Sequence, residues 1–240
     1  MAISLEKRTE NATGALISLL KKEEARGNDL GELTAQVILA LDFSGSMEHR
    51  YRSRHGEPSE VQELVERALA LSLSGLDDDG DIQTFFFHGN VFNPEVVSEQ
   101  NYRGFVDNWA SRNRMGGTDY LPCIQSIRQF AHRNGMTAKG KPPVFVIFVT
   151  DGETRNERKI QQELIGASGE PIFWQFMGLG YSPKFLEQLD TMGGRKLDNV
   201  GLFDVNNSQA LSDDEFYGKT IEEFFGKWLP AARKAGVVTV

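Results

Sequence analysis

Only one cysteine, Cys123, occurs in 240 residues, so no internal disulfide can form and clusters of thiolate metal ligands are excluded. Histidine is almost as scarce, with 4 residues, which leaves little for a zinc site. Basic residues are in the minority, 26 against 34 acidic, and the resulting net charge of −8 sets the chain against nucleic-acid phosphates. No apolar stretch approaches the roughly 18 residues of a membrane span. The start, Met1-Ala2-Ile3-Ser4-Leu5-Glu6, lacks the basic-then-apolar run of a secretory signal, and Ala2 stands where myristoylation requires a glycine. These absences lead us to expect a cytoplasmic protein with no nucleic-acid partner and at most peripheral membrane contact. Proline-rich linkers, internal repeats and low-complexity tracts are also lacking, so the expected partition is simple. Residues 1–35 read as an N-terminal extension, 36–230 as one domain and 231–240 as a tail.

What is present is ample apolar material, 40% of residues, arranged in alternating strand and helix patterns. Val37-Ile38-Leu39-Ala40-Leu41 is a continuous apolar run, as in a strand buried on both faces, and stops at Asp42-Phe43-Ser44-Gly45-Ser46. Ser59-Glu60-Val61-Gln62 matches a capping box ahead of a helix with Val61, Leu64, Val65, Ala68 and Leu69 on one face. Ile82 to Phe87 reads as the next strand, and the Gly89-Asn90 link predicts an antiparallel hairpin to a short strand near Val91-Phe92. A short helix is expected at 103–109 and a longer one at 120–133. Val144 to Val149 is the most apolar strand and ends in Thr150-Asp151-Gly152-Glu153. Further helices are expected at 157–166 and 183–190, and strands at 171–177 and 201–205, with a closing helix that carries the stripe from Phe216 to Leu229. The pattern predicts an α/β fold: a doubly wound, mostly parallel central sheet with one short antiparallel edge strand and helices on both faces.

In such sheets ligands gather at the carboxyl ends of the strands, where Asp42 and Asp151 fall. Ser44 and Ser46 follow Asp42 at alternate positions, and Thr118 follows a Gly-Gly pair in a loop before a helix. Every donor offered is an oxygen, without His or Cys, which suits a hard cation such as Mg2+, with Mn2+ or Ca2+ as alternatives.

This set, Asp42-Phe43-Ser44-Gly45-Ser46, then Gly116-Gly117-Thr118-Asp119, then Thr150-Asp151-Gly152, resembles the metal-ion-dependent adhesion site (MIDAS) of von Willebrand factor A (VWA) domains. The resemblance covers 35–229 and implies a VWA, Rossmann-like fold. It implies that Ser44 and Ser46 bind the metal directly, that Thr118 does so in a ligand-binding state, and that Asp42 and Asp151 act largely through waters. A sixth position is left for an Asp or Glu of a partner protein. The wording of the three motifs is most similar to the bacterial branch found in tellurium-resistance (TerF/TerY-like) proteins, whose A domain is similar to that of copines. Ala2-Ile3-Ser4-Leu5-Glu6-Lys7 also resembles the start of TerD-type domains. The branch implies a non-enzymatic scaffold in a stress-response complex near the inner face of the membrane, with TerD-type proteins among its partners.

Competing readings attach to the same residues. A strand ending in Asp and followed by Ser and Gly also resembles the first motif of haloacid-dehalogenase-type phosphatases, but the place of their second Asp is held by Ser44, a poor proton-transfer group. The metal could also be merely stabilising in a structural scaffold. His49-Arg50-Tyr51-Arg52-Ser53-Arg54-His55 reads as a solvated loop, or as a basic patch that steers an acidic partner. Asp77-Asp78-Asp79-Gly80 reads as an exposed turn, Gly178-Leu179-Gly180 as a loop, and Cys123 as a packed small residue.

Overall fold

Alternate residues of one apolar strand enter two different cores, and this decides the architecture. In β1 (Gln36–Asp42), Val37, Leu39 and Leu41 face one layer of helices, whereas Ile38 and Ala40 face the other. The computed structural model describes residues 3–27, 34–53, 56–77, 79–180 and 184–240. It places β1 inside a six-stranded sheet of order β3-β2-β1-β4-β5-β6. The other strands are β2 (Ile82–Phe87), β3 (Glu95–Val97), β4 (Val144–Thr150), β5 (Ile172–Leu179) and β6 (Val200–Val205). All pairings are parallel except β2 with β3. The chain builds to one side of β1 and then returns to build to the other, so the topological switch point lies between β1 and β4.

One face of the sheet carries α1 (Leu5–Ala25), α2 (Glu60–Leu71), α3 (Phe105–Ala110), α7 (Asp213–Glu223) and α8 (Leu229–Lys234). The other carries α4 (Tyr120–Arg133), α5 (Glu157–Gly166) and α6 (Lys184–Thr191). A π-helical segment, Phe224–Trp228, joins α7 to α8 and places Phe224 and Trp228 in a stack with ring centroids 5.4 Å apart.

Several expectations change. The edge strand is Glu95–Val97 rather than Val91-Phe92; Val91 makes only an isolated antiparallel bridge to Phe87. Ile82 pairs with Val97, so the excursion is longer than a tight turn, although the antiparallel sense is as expected. The capping box is half made: Ser59 accepts from the Gln62 N–H at 3.2 Å, but the side-chain carbonyl of Gln62 accepts from the Val106 N–H at 3.0 Å instead of returning to Ser59. Gly178 and Leu179 lie within β5 rather than in a loop. In the acidic turn the Asp77 carboxylate accepts from the Val37 N–H at 2.8 Å, while Asp78 lies outside the described residues.

The segment 1–35 contains the longest helix of the described residues. Ser4 caps α1, and Leu5, Ala12, Leu16 and Leu19 enter the same core as β1 and α2. Arg8 is buried with Asp213 at 2.9 Å, and Asp213 also receives Arg67 Nε at 3.0 Å. Two carbonyls, of Ser208 and Leu211, accept the remaining Arg67 donors at 2.6 and 2.9 Å. α1 therefore packs against α2 and α7 as an integral part of that side of the fold. At the other end, the expected boundary at 230 falls inside α8, and Val238 is buried beyond it.

Candidate metal centre

β1 and β4 pair through Leu41 and Val149, so Asp42 and Thr150 emerge side by side. The Asp42 carboxylate is fully buried. It accepts from the Ser44 N–H at 2.8 Å on Oδ1 and from the Thr150 hydroxyl at 2.6 Å on Oδ2. Burial pushes its pKa up to about 6; the bonds from Thr150 and Ser44 oppose the shift, and the nearby Asp151 charge adds to it.

The chain after β1 is fixed from below by aromatic packing. Phe43 meets Tyr51 and Trp109 edge to face, with centroids at 5.1 and 4.8 Å, and the Tyr51 hydroxyl donates to the Asp42 carbonyl at 2.8 Å. Met47 is buried inside the 3-10 turn Gly45–Arg50. This anchoring presents Ser44 and Ser46 with their hydroxyls 3.0 Å apart, and Ser46 donates onward to Asp151 Oδ1 at 2.8 Å. The donors form a gradient, from buried Asp42 and Ser44, through half-buried Thr118 and Asp151, to exposed Ser46.

Thr118 arrives from the loop before α4. Ser44 bridges Gly116 in parallel, and the Gly45 N–H donates to the Gly116 carbonyl at 3.0 Å. A Cβ at Gly116 would lie 3.0 Å from the His88 ring, so a side chain there would fit only if the ring gave way. Asp119 caps α4 through the Leu121 N–H at 3.0 Å and also receives the Asn156 side chain at 2.7 Å. Tyr120 anchors the third loop: its hydroxyl donates to the Gly152 carbonyl, and its N–H donates to Thr154 Oγ1 at 3.0 Å. A Cβ at Gly152 would sit 3.4 Å from Thr118 Oγ1 and 3.5 Å from Ser46 Oγ, so the absence of a side chain keeps a space open between these hydroxyls.

The structure thus brings Asp42, Ser44, Ser46, Thr118 and Asp151 to one edge of the sheet. The donors are three hydroxyls and two carboxylates, a composition that fits a hard divalent cation. Among the described residues no group of three or more His, Cys, Asp or Glu side chains converges into an alternative site. His49 Nδ1 lies 3.0 Å from the Ser46 carbonyl, and His55 is outside the described residues. Cys123 is buried in α4, and burial pushes its thiol pKa well up, which makes it a packing residue rather than a nucleophile.

Sequence reasoning missed the supporting residues Thr150, Tyr120 and Gly152, although they flank the motif positions. The reading of Arg50 as part of a solvated loop is also corrected: its side chain is 10% exposed, its Nη1 meets Glu60 Oε2 at 2.6 Å, and its Nε lies 3.6 Å from Asp151 Oδ2.

With this geometry in place, comparison with known proteins is decisive for the family. A family model, vWA-TerF-like, described as the vWA found in the TerF C terminus, matches residues 34–238. The chain belongs to the vWA-TerF-like family. This vWA chain is also 31% identical over 215 residues to the uncharacterized protein YcbR of Bacillus subtilis (strain 168), covering 87% of the present chain and 83% of that protein. Solved structures share the vWA fold at lower identity. The SpRpn10 VWA domain matches with a TM-score of 0.52 and 15% identity, over 77% of this chain and 93% of that one. Proximal thread matrix protein 1 from the mussel byssus matches with a TM-score of 0.54 and 17% identity, over 80% of this chain. The vWA chain spans about half of that mussel protein, 47%. A further structure of the mussel protein, described as having a zinc occupied MIDAS motif, matches with a TM-score of 0.51 and 17% identity, over 86% of this chain and 48% of that one.

Proposed function

We propose that this vWA domain is a metal-dependent protein-binding module whose centre is the oxygen cluster at the β1/β4 switch point. The observation that carries the reading is the convergence of Ser44 and Ser46, 3.0 Å apart, on Asp151 in one direction and on the space beside Gly152 and Thr118 in the other. Ser44, Ser46 and Thr118 would hold a divalent cation, with Asp42 and Asp151 behind them. The mussel protein, with its zinc occupied MIDAS, supports metal binding in this fold. The hard donor set favours Mg2+, with Mn2+ or Ca2+ as alternatives.

When bound, the cation supplies a concentrated positive charge at the surface. The residues of this chain shape what that charge recognises. Neutral hydroxyls in front leave most of it uncancelled, while the net charge of −8 repels acidic partners elsewhere on the surface. The ligand class is therefore an Asp or Glu side chain of another protein. The family match supports placing the module in a bacterial tellurium-resistance or stress-response complex, with TerD-type proteins as candidate partners. Among the described residues no helix is long and apolar enough to cross a membrane, so attachment at the inner membrane face would be peripheral.

The phosphatase alternative finds no support in the site. A nucleophilic carboxylate must be reached by its substrate, whereas Asp42 is fully buried, with each oxygen accepting a hydrogen bond from the protein. Affinity capture with wild type and Asp42→Ala, each in Mg2+ and in chelator, tests the binding reading. A partner held by wild type in Mg2+, and lost both in chelator and in the variant, is expected. Equal capture in chelator overturns it. A metal-dependent rise in stability with no metal-dependent partner would favour a scaffold with a merely stabilising metal.

A further inference from the structure

The geometry points to Arg50 as a positioning residue that holds Asp151 outside the direct ligands of the cation, an inference that rests on the metal-binding reading above. Arg50 ends the 3-10 turn that carries Ser46, and its guanidinium is held between the start of α2 and the end of β5. Glu60, at the start of α2, binds Nη1 at 2.6 Å. Glu60 is itself immobilised by Ser208, whose N–H and hydroxyl donate to Oε1 at 3.0 and 2.7 Å. Gly180, at the end of β5, lies against the third side: a Cβ there would come 2.5 Å from Nη2, and its φ of +79° is a conformation natural to glycine.

Held in this way, the guanidinium turns Nε toward Asp151 Oδ2 at 3.6 Å. This Nε is buried and has no hydrogen-bond partner. A buried cationic N–H without an acceptor is costly, and the Asp151 carboxylate is the group placed to supply one by a small displacement. Asp151 is thus drawn from two sides, by the Ser46 hydroxyl on Oδ1 and by Arg50 on Oδ2. Both engage its oxygens with protein donors, so the foremost ligands remain neutral hydroxyls. Arg50 thereby preserves the positive charge available to an acidic partner, at the expense of metal affinity.

Two substitutions in the full-length chain test this with opposite signs. Mn2+ is the probe, and its affinity and its inner-sphere water count are read by water-proton relaxation, with Ser44→Ala defining the part that belongs to this site. In Arg50→Met, Asp151 is released to replace a water: Mn2+ binds about tenfold tighter, and the count falls by about one. Arg50→Lys, which keeps the charge, restores the wild-type count. In Glu60→Gln, which retains an acceptor for Ser208, Arg50 turns fully to Asp151: Mn2+ binds several-fold more weakly, and the count is unchanged.

An unchanged water count in Arg50→Met, whatever its affinity, overturns the proposal, because a purely structural or field effect would leave the count alone. Unaltered or tighter binding in Glu60→Gln also overturns it, and decides the matter if Arg50→Met fails to fold. Binding by wild type with identical behaviour in both variants sinks the role of Arg50 alone. No binding by wild type sinks the metal reading together with it.

Discussion

Thr150 and Asp42 join the two strands that flank the switch point: the Thr150 hydroxyl donates to Asp42 Oδ2 at 2.6 Å, inside a region from which water is excluded. Thr150 Oγ1 also accepts from the Gly152 N–H at 3.3 Å, so one side chain couples the innermost carboxylate to the loop bearing Asp151. The first prediction follows from that coupling. Thr150→Val, nearly the same in shape but without the hydroxyl, should cost about 1–3 kcal/mol in urea unfolding and weaken Mn2+ binding, because Asp42 loses a hydrogen-bond donor where it cannot regain water.

Stability without metal should depend on pH through Asp42. Its carboxyl is held at about 6 in the folded chain against an ordinary 3.8, so the proton is bound more tightly in the folded state. Below about pH 4 both states are protonated and Asp42 imposes no cost. As pH rises from about 4 to about 6, the unfolded chain ionises first and stability falls; above that range the full cost, on the order of 2–3 kcal/mol, persists. Asp42→Asn should therefore raise the melting temperature in chelator at pH 7, lose that advantage near pH 4, and abolish the rise that Mg2+ gives to wild type. Parallel wild-type and Asn curves across this range would contradict the assignment.

Gly152 offers a way to fill the site without touching a donor. A Val there would bring its methyls toward Thr118 Oγ1 and Ser46 Oγ, which a Cβ alone already approaches at 3.4 and 3.5 Å. Gly152→Val should eliminate the thermal shift on adding Mg2+ while changing stability in chelator by less than about 1 kcal/mol. Differential scanning calorimetry with and without metal reads both quantities.

The Arg8, Arg67 and Asp213 cluster predicts that α1 is integral to folding. Asp213→Ala would leave two buried guanidinium groups without their shared carboxylate, at a cost of about 3–5 kcal/mol. Unfolding should remain a single transition in which helix and sheet signals are lost together. Separate melting of helical signal ahead of the sheet would show α1 to be an appendage after all.

Local pattern carried a large part of this fold. α4 and α5 begin and end where the sequence places them, because apolar spacing acts within one turn in both and Asp119 caps the first turn of α4. The central strands were legible because both faces are buried and the apolar run is unbroken. β3 was misplaced because a strand of three residues at a sheet edge has too little pattern to show. α1 was underestimated because its buried face includes Arg8, which looks solvated until its partner 205 positions away is known.

The candidate site divides along the same line. The candidates Asp42, Ser44, Ser46, Thr118 and Asp151 were legible in the sequence: four lie at or just beyond the ends of β1 and β4, since a strand must stop where small polar residues replace apolar ones, and Thr118 follows a Gly-Gly pair in the loop before α4. Their order of burial and the open space beside Gly152 were decided only by the tertiary structure, as was the pull of Arg50 on Asp151. Those properties depend on which loops the parallel pairing of β1 and β4 brings side by side, and on Gly180 and a Glu60 held by Ser208 meeting around one guanidinium. A side chain's charge is written in its own codon, but what that charge is worth depends on neighbours that are distant in the chain.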